Sequence, residues 1–336
     1  MSLLAAASVT LGRKRYDSHV AGVEVQLGLL PRINQARIRL PRALTLEAAP
    51  GDDAELALEG ADGRATVLHG KVQSVATAGG AATEVVLADG GALLAALRPA
   101  RSYHGQDGSA VVRALVGDAG AEVGALDLDL PLSAYIAHGR RSAAEHVADL
   151  ARLGGALAGC DDAGRIELRA RPSRAERALR HDREILALRI ARGVPPGYRQ
   201  ILVGNGPATA DLLRHGAGPL PDDAPSPGAA ARWRAAPVLR SARVAVAAGQ
   251  ACDAEGAGAA TRLTAQAILL PWLRPGLVVE IQNLPDRLDA GGAWLVLTVC
   301  HSGGAGAAAG TRFSAVSAEA GSSLLGSLAG AVGGLL

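Results

Sequence analysis

Aromatic side chains make up only 2% of this 336-residue chain, which leaves too little ring surface to line a large apolar pocket. Its cores must be packed from alanine, valine and leucine. Lysine is nearly missing as well, Lys14 and Lys71 being the only two, so arginine carries the basic charge. A formal net charge of +2 supplies no strong field toward nucleic acid or anionic lipid. Without a basic stripe or stacking rings, a nucleic-acid site is disfavoured. Cys160, Cys252 and Cys300 are odd in number, far apart and free of any C-x-x-C pair. This argues against a disulfide framework and a cysteine zinc site, and points to a reducing compartment during assembly. No apolar run reaches the roughly 20 residues that span a bilayer. The opening Met1 to Val9 lacks a basic region before its apolar run and reads as a strand rather than a signal peptide.

Catalytic signatures are also missing. No serine sits in G-x-S-x-G, and His301 has no acid nearby in sequence, so it reads as a strand-edge cap. His138 and His146 lack a third ligand and H-E-x-x-H is absent, so both read as solvent-facing helix histidines. Gly304 to Gly310 follows one strand but precedes another, Thr311 to Val316, so it reads as a hairpin loop and not a phosphate loop. The pairs Asp52-Asp53, Asp161-Asp162 and Asp222-Asp223 sit in turns, where aspartate serves the backbone. No catalytic, cofactor-binding or metal-ligating residue is assigned, and the chain reads as no enzyme.

What is present is a folding pattern. With 49% hydrophobic residues the chain folds, and its length suits two domains with more than one core. Ser142 and Glu145 have the spacing of a capping box, so a helix starts at Ser142, with Val147, Leu150, Ala151 and Gly154 on its buried stripe. Glu145, His146, Asp149 and Arg152 fall off that stripe. Gly154-Gly155 ends the helix, and Ala156 to Cys160, the turn Asp161 to Gly164 and the alternating Arg165 to Ala170 form a hairpin. Upstream, Val23 to Leu27, Ile33 to Leu40, Glu55 to Leu58, Thr66 to Val75 and Glu84 to Leu87 read as strands about every 10 residues, with His69-Gly70 breaking the fourth. Asp107 to Asp118 reads as a short helix with Val111, Val112, Leu115 and Val116 on one face. Further strands follow at Ile185 to Leu188 and Tyr198 to Gly204. The stretch 216–230, rich in proline, glycine and aspartate, reads as an exposed loop that contacts a partner or stays disordered, in preference to an active-site lid, because no catalytic cluster adjoins it.

The order of a tyrosine-bearing extended segment (Leu132 to Ile136), a Ser-capped helix and a hairpin resembles the middle of the tail-hub family, the late control D proteins of contractile phage tails and the hub part of VgrG spikes. The run from Leu56 to Val75 resembles that family's first barrel. Leu273 to Ile281, Trp294 to His301 and Thr311 to Val316 resemble its last, where a Pro-Gly turn opens a strand and another strand ends in histidine. The matches keep the family's order across most of residues 1–320.

The resemblance implies an α+β, mostly β fold, with two tail-tube-like antiparallel β-barrels separated by a small helical insertion. The expected divisions are 1–98 for the first barrel, 99–184 for the helical insertion and returning hairpin, 185–320 for the second barrel with its loop 216–230, and 321–336 for an apolar tail. It implies a structural baseplate hub: a homotrimer whose duplicated barrels imitate a ring of six toward the inner tube protein while meeting a threefold spike. The chain ends soon after the second barrel, so the spike is expected as a separate chain, and other baseplate subunits complete the list of partners. Assembly is expected in the bacterial cytoplasm, in a phage tail or tail-like particle. Candidate inter-subunit strand edges are Val23, Val25 and Leu27, and Leu277, Val279 and Ile281. The apolar tail residues Leu324, Leu325, Leu328, Leu335 and Leu336 either dock into a neighbour or belong to a frayed terminus. The alternatives are a cell-wall-degrading enzyme, which needs two carboxylates across a cleft, and a carbohydrate-binding β module.

Overall fold

The computed structural model describes residues 7–17, 20–41, 44–77, 82–172, 174–203, 231–236, 238–239, 242–285, 292–304 and 307–318. The loop 216–230 and the tail 321–336 lie outside them. The chain opens with seven strands: β1 (Ala7–Leu11), β2 (Lys14–Tyr16), β3 (Gly22–Gly28), β4 (Gln35–Pro41), β5 (Asp53–Gly60), β6 (Gly63–Thr77) and β7 (Ala82–Ala88). A mixed segment follows: α1 (Gly90–Ala96), β8 (Arg101–Asp107), α2 (Gly108–Asp118), β9 (Val123–Leu126), β10 (Pro131–Ala137), α3 (Ala143–Leu153), β11 (Ala156–Cys160) and β12 (Ile166–Ala170). The last part holds β13 (Arg177–Arg180), β14 (Ile185–Arg192), β15 (Arg199–Val203), β16 (Ala231–Ala235), α4 (Ala242–Ala259), β17 (Thr261–Ala267), β18 (Val278–Gln282), β19 (Ala293–Gly304) and β20 (Ala307–Ser317).

Strand alternation sets the main sheet. In β4, Ala36, Ile38 and Leu40 point inward and Gln35, Arg37 and Arg39 outward, the pattern of a strand wet on one face. Thirteen strands join in the order β14-β17-β20-β19-β3-β4-β7-β6-β5-β1-β2, with β18 branching from β19 and β13 from β18. All these pairs are antiparallel except β13 with β18. The early and late strands are thus joined directly, through β3 and β19 from Thr298↔Gly28 to Gly304↔Gly22. Among the described residues the path is open, because β14 and β2 each pair on one side only.

Packing follows the same seam. Ile38, Leu56 and Leu87 from the early strands share one apolar cluster with Leu263, Val296 and Phe313 from the late ones. The sequence suggests a separate core for each β region; the structure gives them one, because β3 and β19 carry their buried residues to the same side. The second large cluster belongs to the helices, joining Leu94, Val112 and Leu150 to Ile166 of β12 and to Ala248 and Cys252 of α4.

β6 also corrects an expectation. It runs unbroken through His69-Gly70, and Gly70 is there because a Cβ would lie 2.1 Å from the Ala88 carbonyl oxygen. The glycine permits close backbone approach rather than a break.

Candidate functional site

The site is built outward from the capped helix. Ser142 Oγ accepts from the Glu145 N–H at 3.2 Å, and the Glu145 carboxylate accepts from the Ser142 N–H at 2.7 Å, so the predicted box is complete. The Ser142 N–H and the Ser142 hydroxyl, both donating to it, hold the Glu145 carboxyl below its usual range. After α3, Gly155 takes a φ of +71° and sends the chain into the β11–β12 hairpin. At the tip, Asp161 Oδ1 accepts from the N–H groups of Ala163 and Arg165, and its other oxygen takes the Arg165 guanidinium at 2.8 Å. Gly164, at φ +76°, lays the tip on β6, where a Cβ would sit 2.3 Å from the His69 carbonyl oxygen.

The hairpin is latched on its other side to the segment between β17 and β18. Arg169 donates to the Pro275 carbonyl at 3.1 Å, and Arg274 pairs with Asp162 at 2.5 Å while also donating to the Thr66 carbonyl. Trp272 Nε1 donates to Asp62 at 3.1 Å, and the Arg177 guanidinium lies 4.6 Å from the centre of the Trp272 ring. These elements enclose a cleft of about 960 Å³, lined by Ala65 to His69 of β6, the hairpin tip, Arg177 and Leu277 to Val279.

Asp89 also lines the cleft, although it is only 4% exposed. It caps α1 by accepting from the Gly91 N–H at 2.9 Å, and accepts from Asn34 Nδ2 at 2.7 Å, while Asn34 Oδ1 accepts from the Gly28 N–H at 2.7 Å. Burial pushes its carboxyl up to about 6, against the pull of hydrogen bonds from Cys160, Asn34 and Gly91. Burial likewise raises Glu167 and the Cys160 thiol. The arrangement can bind and orient polar groups. Among the described residues, no group of His, Cys, Asp and Glu is placed to hold a metal ion, and no helix is long and apolar enough to cross a membrane.

Two histidine expectations are overturned. His146 is buried, not solvent-facing: Nδ1 lies 2.7 Å from the Tyr135 hydroxyl and Nε2 3.1 Å from the His138 carbonyl oxygen, tying α3 to β10. His301 is no edge cap but a fully buried residue inside β19, paired with Val25 of β3 and Thr311 of β20. The Thr311 hydroxyl oxygen accepts from the Leu270 N–H at 2.9 Å and lies 3.0 Å from His301 Nδ1. Burial holds His301 down to about 4.

The candidate strand edges are interior. Val23 and Val25 lie opposite Ile38 and Ala36 of β4 on one side and Gly303 and His301 of β19 on the other, and Leu27 faces Val299. Val279 sits between Arg177 and Trp294, Ile281 faces Leu179, and the Leu277 carbonyl accepts from the Val296 N–H at 2.9 Å. Hydrophobic alternation marks a strand but does not say how many neighbours it has. Among the described residues the open ends of the sheet are β2, β14 and the branch strand β13, and β14 carries Leu186 at 67% exposure. The tail residues Leu324, Leu325, Leu328, Leu335 and Leu336 lie outside the described residues. The cleft itself was not anticipated. Asp161-Asp162 does sit in a turn as expected, but nothing in sequence connects Asp162 to Arg274 or Asp89 to Cys160.

No family model matches the sequence, and no curated protein matches it either. Solved structures do. The chain is similar in fold to the 43 kDa tail protein of prophage MuSo2 from Shewanella oneidensis, with a TM-score of 0.68 at 12% identity over 94% of this chain and 99% of that one. It is similar to a tail protein from Neisseria meningitidis, with a TM-score of 0.70 at 12% identity over 94% and 97%. It also resembles the c3393 protein of E. coli, a type VI secretion component described as similar to the T4 bacteriophage tail proteins gp27 and gp5, with a TM-score of 0.60 at 17% identity over 89% and 73%. At these identities the likeness is one of fold.

Proposed function

We propose that this chain is a structural tail component, the baseplate hub of a phage tail or tail-like injection particle. The observation that carries the reading is the fold likeness to two tail proteins over nearly the full length of each chain. The sequence resemblance to the tail-hub family supports it independently. In this reading the early strands β1 to β7 and the late strands around β17 to β20 are the two tube-like units, with the helical module between them, and three copies present both units to a sixfold inner tube. A threefold spike, as a separate chain, and other baseplate subunits are the remaining partners. The particle assembles in the bacterial cytoplasm, and the chain acts as an adaptor rather than an enzyme.

The open sheet ends take the inter-subunit role that β3 and β18 are unable to fill, with β14 and its exposed Leu186 as one contact. The apolar residues Leu324, Leu325, Leu328, Leu335 and Leu336 form a second contact, with the tube or spike. Mass measurement of the purified protein and of the assembled particle tests the hub: three copies about one axis are expected, and a single copy in both settings would sink it. Particle assembly that survives removal of 322–336 would assign the tail no role.

A further inference from the structure

The main sheet sorts its charge. The six consecutive strands β14, β17, β20, β19, β3 and β4 carry six arginines and one carboxylate, Glu24, whereas β7, β6, β5, β1 and β2 carry four acidic and four basic residues. A net charge of +2 over the whole chain therefore conceals a basic half. Its densest part is the outward face at the β14 end. Arg189 stands opposite Thr264 and Arg312 opposite Gln266, so both share a face with Arg262, and the buried Leu263, Ala265 and Phe313 alternate with them. All three arginines are exposed. Among the described residues none of the three pairs with a carboxylate: Arg262 donates to the Ala259 carbonyl at 3.0 Å, whereas Arg37, farther along, is paired with Glu84.

Spacing and chemistry narrow the ligand. With strands about 4.8 Å apart and alternate residues about 6.8 Å apart, the Arg189 backbone lies roughly 8 Å from that of Arg262 and roughly 12 Å from that of Arg312. Cations spread this way engage densely repeated anionic groups better than a single carboxylate. Thr264, Gln266 and Ser314 on the same face add neutral donors of the kind that phosphate oxygens accept from. Among the described residues the one large apolar side chain exposed on β14, β17, β19 and β20 is Leu186, too little for the apolar centre of a protein interface. Trp294 and Phe313 are buried, so no ring on these strands can stack a base. We infer that this face is a sequence-independent site for the phosphate backbone of double-stranded nucleic acid, held by Arg189, Arg262 and Arg312. Such a site goes beyond the hub reading and needs only one copy of the chain.

The test uses the full-length protein and a fluorescein-labelled DNA duplex of mixed sequence, with anisotropy read from about 50 to about 200 mM salt. Log affinity should fall against log salt with a slope of about −3, one phosphate contact for each arginine. Arg189→Gln, Arg262→Gln and Arg312→Gln should each reduce the slope by about one, and the triple variant should bind at least about tenfold more weakly at the lowest salt. A control triple, Arg13→Gln, Arg113→Gln and Arg140→Gln, removes the same charge from exposed positions elsewhere and should keep the slope. Urea midpoints establish that each variant is folded, and the single variants carry the test if the triple is not. No binding by wild type at about 50 mM salt, or equal losses in the two triples, would overturn the site. Poly-glutamate competing as well as duplex of equal charge would overturn it too, and reassign the face to an acidic protein. Because anisotropy is read on the isolated chain, its failure leaves the copy-number test of the hub unaffected, and a single-copy mass leaves the duplex result standing.

Discussion

Asn34 donates from Nδ2 to Oδ2 of Asp89 across 2.7 Å, joining the turn after β3 to the residue that caps α1. Every neighbour of that carboxylate named above is a donor, yet burial raises it from 3.8 to about 6. As pH rises the unfolded chain gives up this proton first, so the folded state loses stability between about pH 4 and 6, by roughly 3 kcal/mol for a shift of this size.

His301 works in the opposite direction. Burial lowers it from 6.5 to about 4, so as pH falls the unfolded chain takes the proton first and stability is lost between about pH 6.5 and 4, again by roughly 3 kcal/mol. The two largely cancel in wild type. Asp89→Asn should expose the loss toward acid, and His301→Gln should expose a gain toward acid. Urea midpoints at pH 4.5 and 7 read both, and three parallel pH curves would refute the opposition.

The capping box gives a local prediction. Ser142→Ala removes the acceptor for the Glu145 N–H and should lower stability by about 1 kcal/mol in urea unfolding, whereas Ser142→Asp should retain most of it. Equal stability of all three proteins would show that α3 is held by packing alone.

Gly164 combines two constraints, a φ of +76° and the His69 carbonyl oxygen 2.3 Å from where a Cβ would stand. Gly51, at φ +96°, has nothing within 4 Å of that point. Gly51→Ala should therefore show only the backbone penalty of about 1–2 kcal/mol, and Gly164→Ala visibly more, with faster hydrogen exchange in the hairpin. Equal losses would mean that the tip does not bear on β6.

Tyr135→Phe leaves His146 Nδ1 buried without its 2.7 Å partner, at a cost of about 1–3 kcal/mol. The double variant Tyr135→Phe, His146→Leu should recover part of the loss. Additive losses in the double-mutant cycle would argue against coupling between β10 and α3 through this pair.

Much of the local structure was legible because its signals are short-range. The Ser142 box, the hairpin from Ala156 to Ala170 and the alternation of β4 all depend on neighbours in sequence, and each stands as read. α4 was missed because its apolar content is mostly alanine and it carries glycines inside the helix. Those glycines answer to distant backbone: a Cβ on Gly249 would lie 2.9 Å from the Gln200 carbonyl oxygen, and one on Gly258 2.7 Å from that of Ser317. The edge assignments failed for the same reason, since the second partner of β3 comes from the far end of the chain. The cleft was invisible because Thr66, Asp89, Asp162 and Arg274 meet only after the whole sheet has formed.

The seam between β3 and β19 has a consequence for synthesis. β3 leaves the ribosome well before the strand that completes one of its sides, from Gly28 to Gly22, because every element from β4 to β18 lies between them in the chain. Through most of translation that flank carries unspent main-chain donors and acceptors beside an exposed valine and leucine stripe, a template for mispairing in a crowded cell. A nascent chain of this design gains from a chaperone holding its first strands until the last pair arrives.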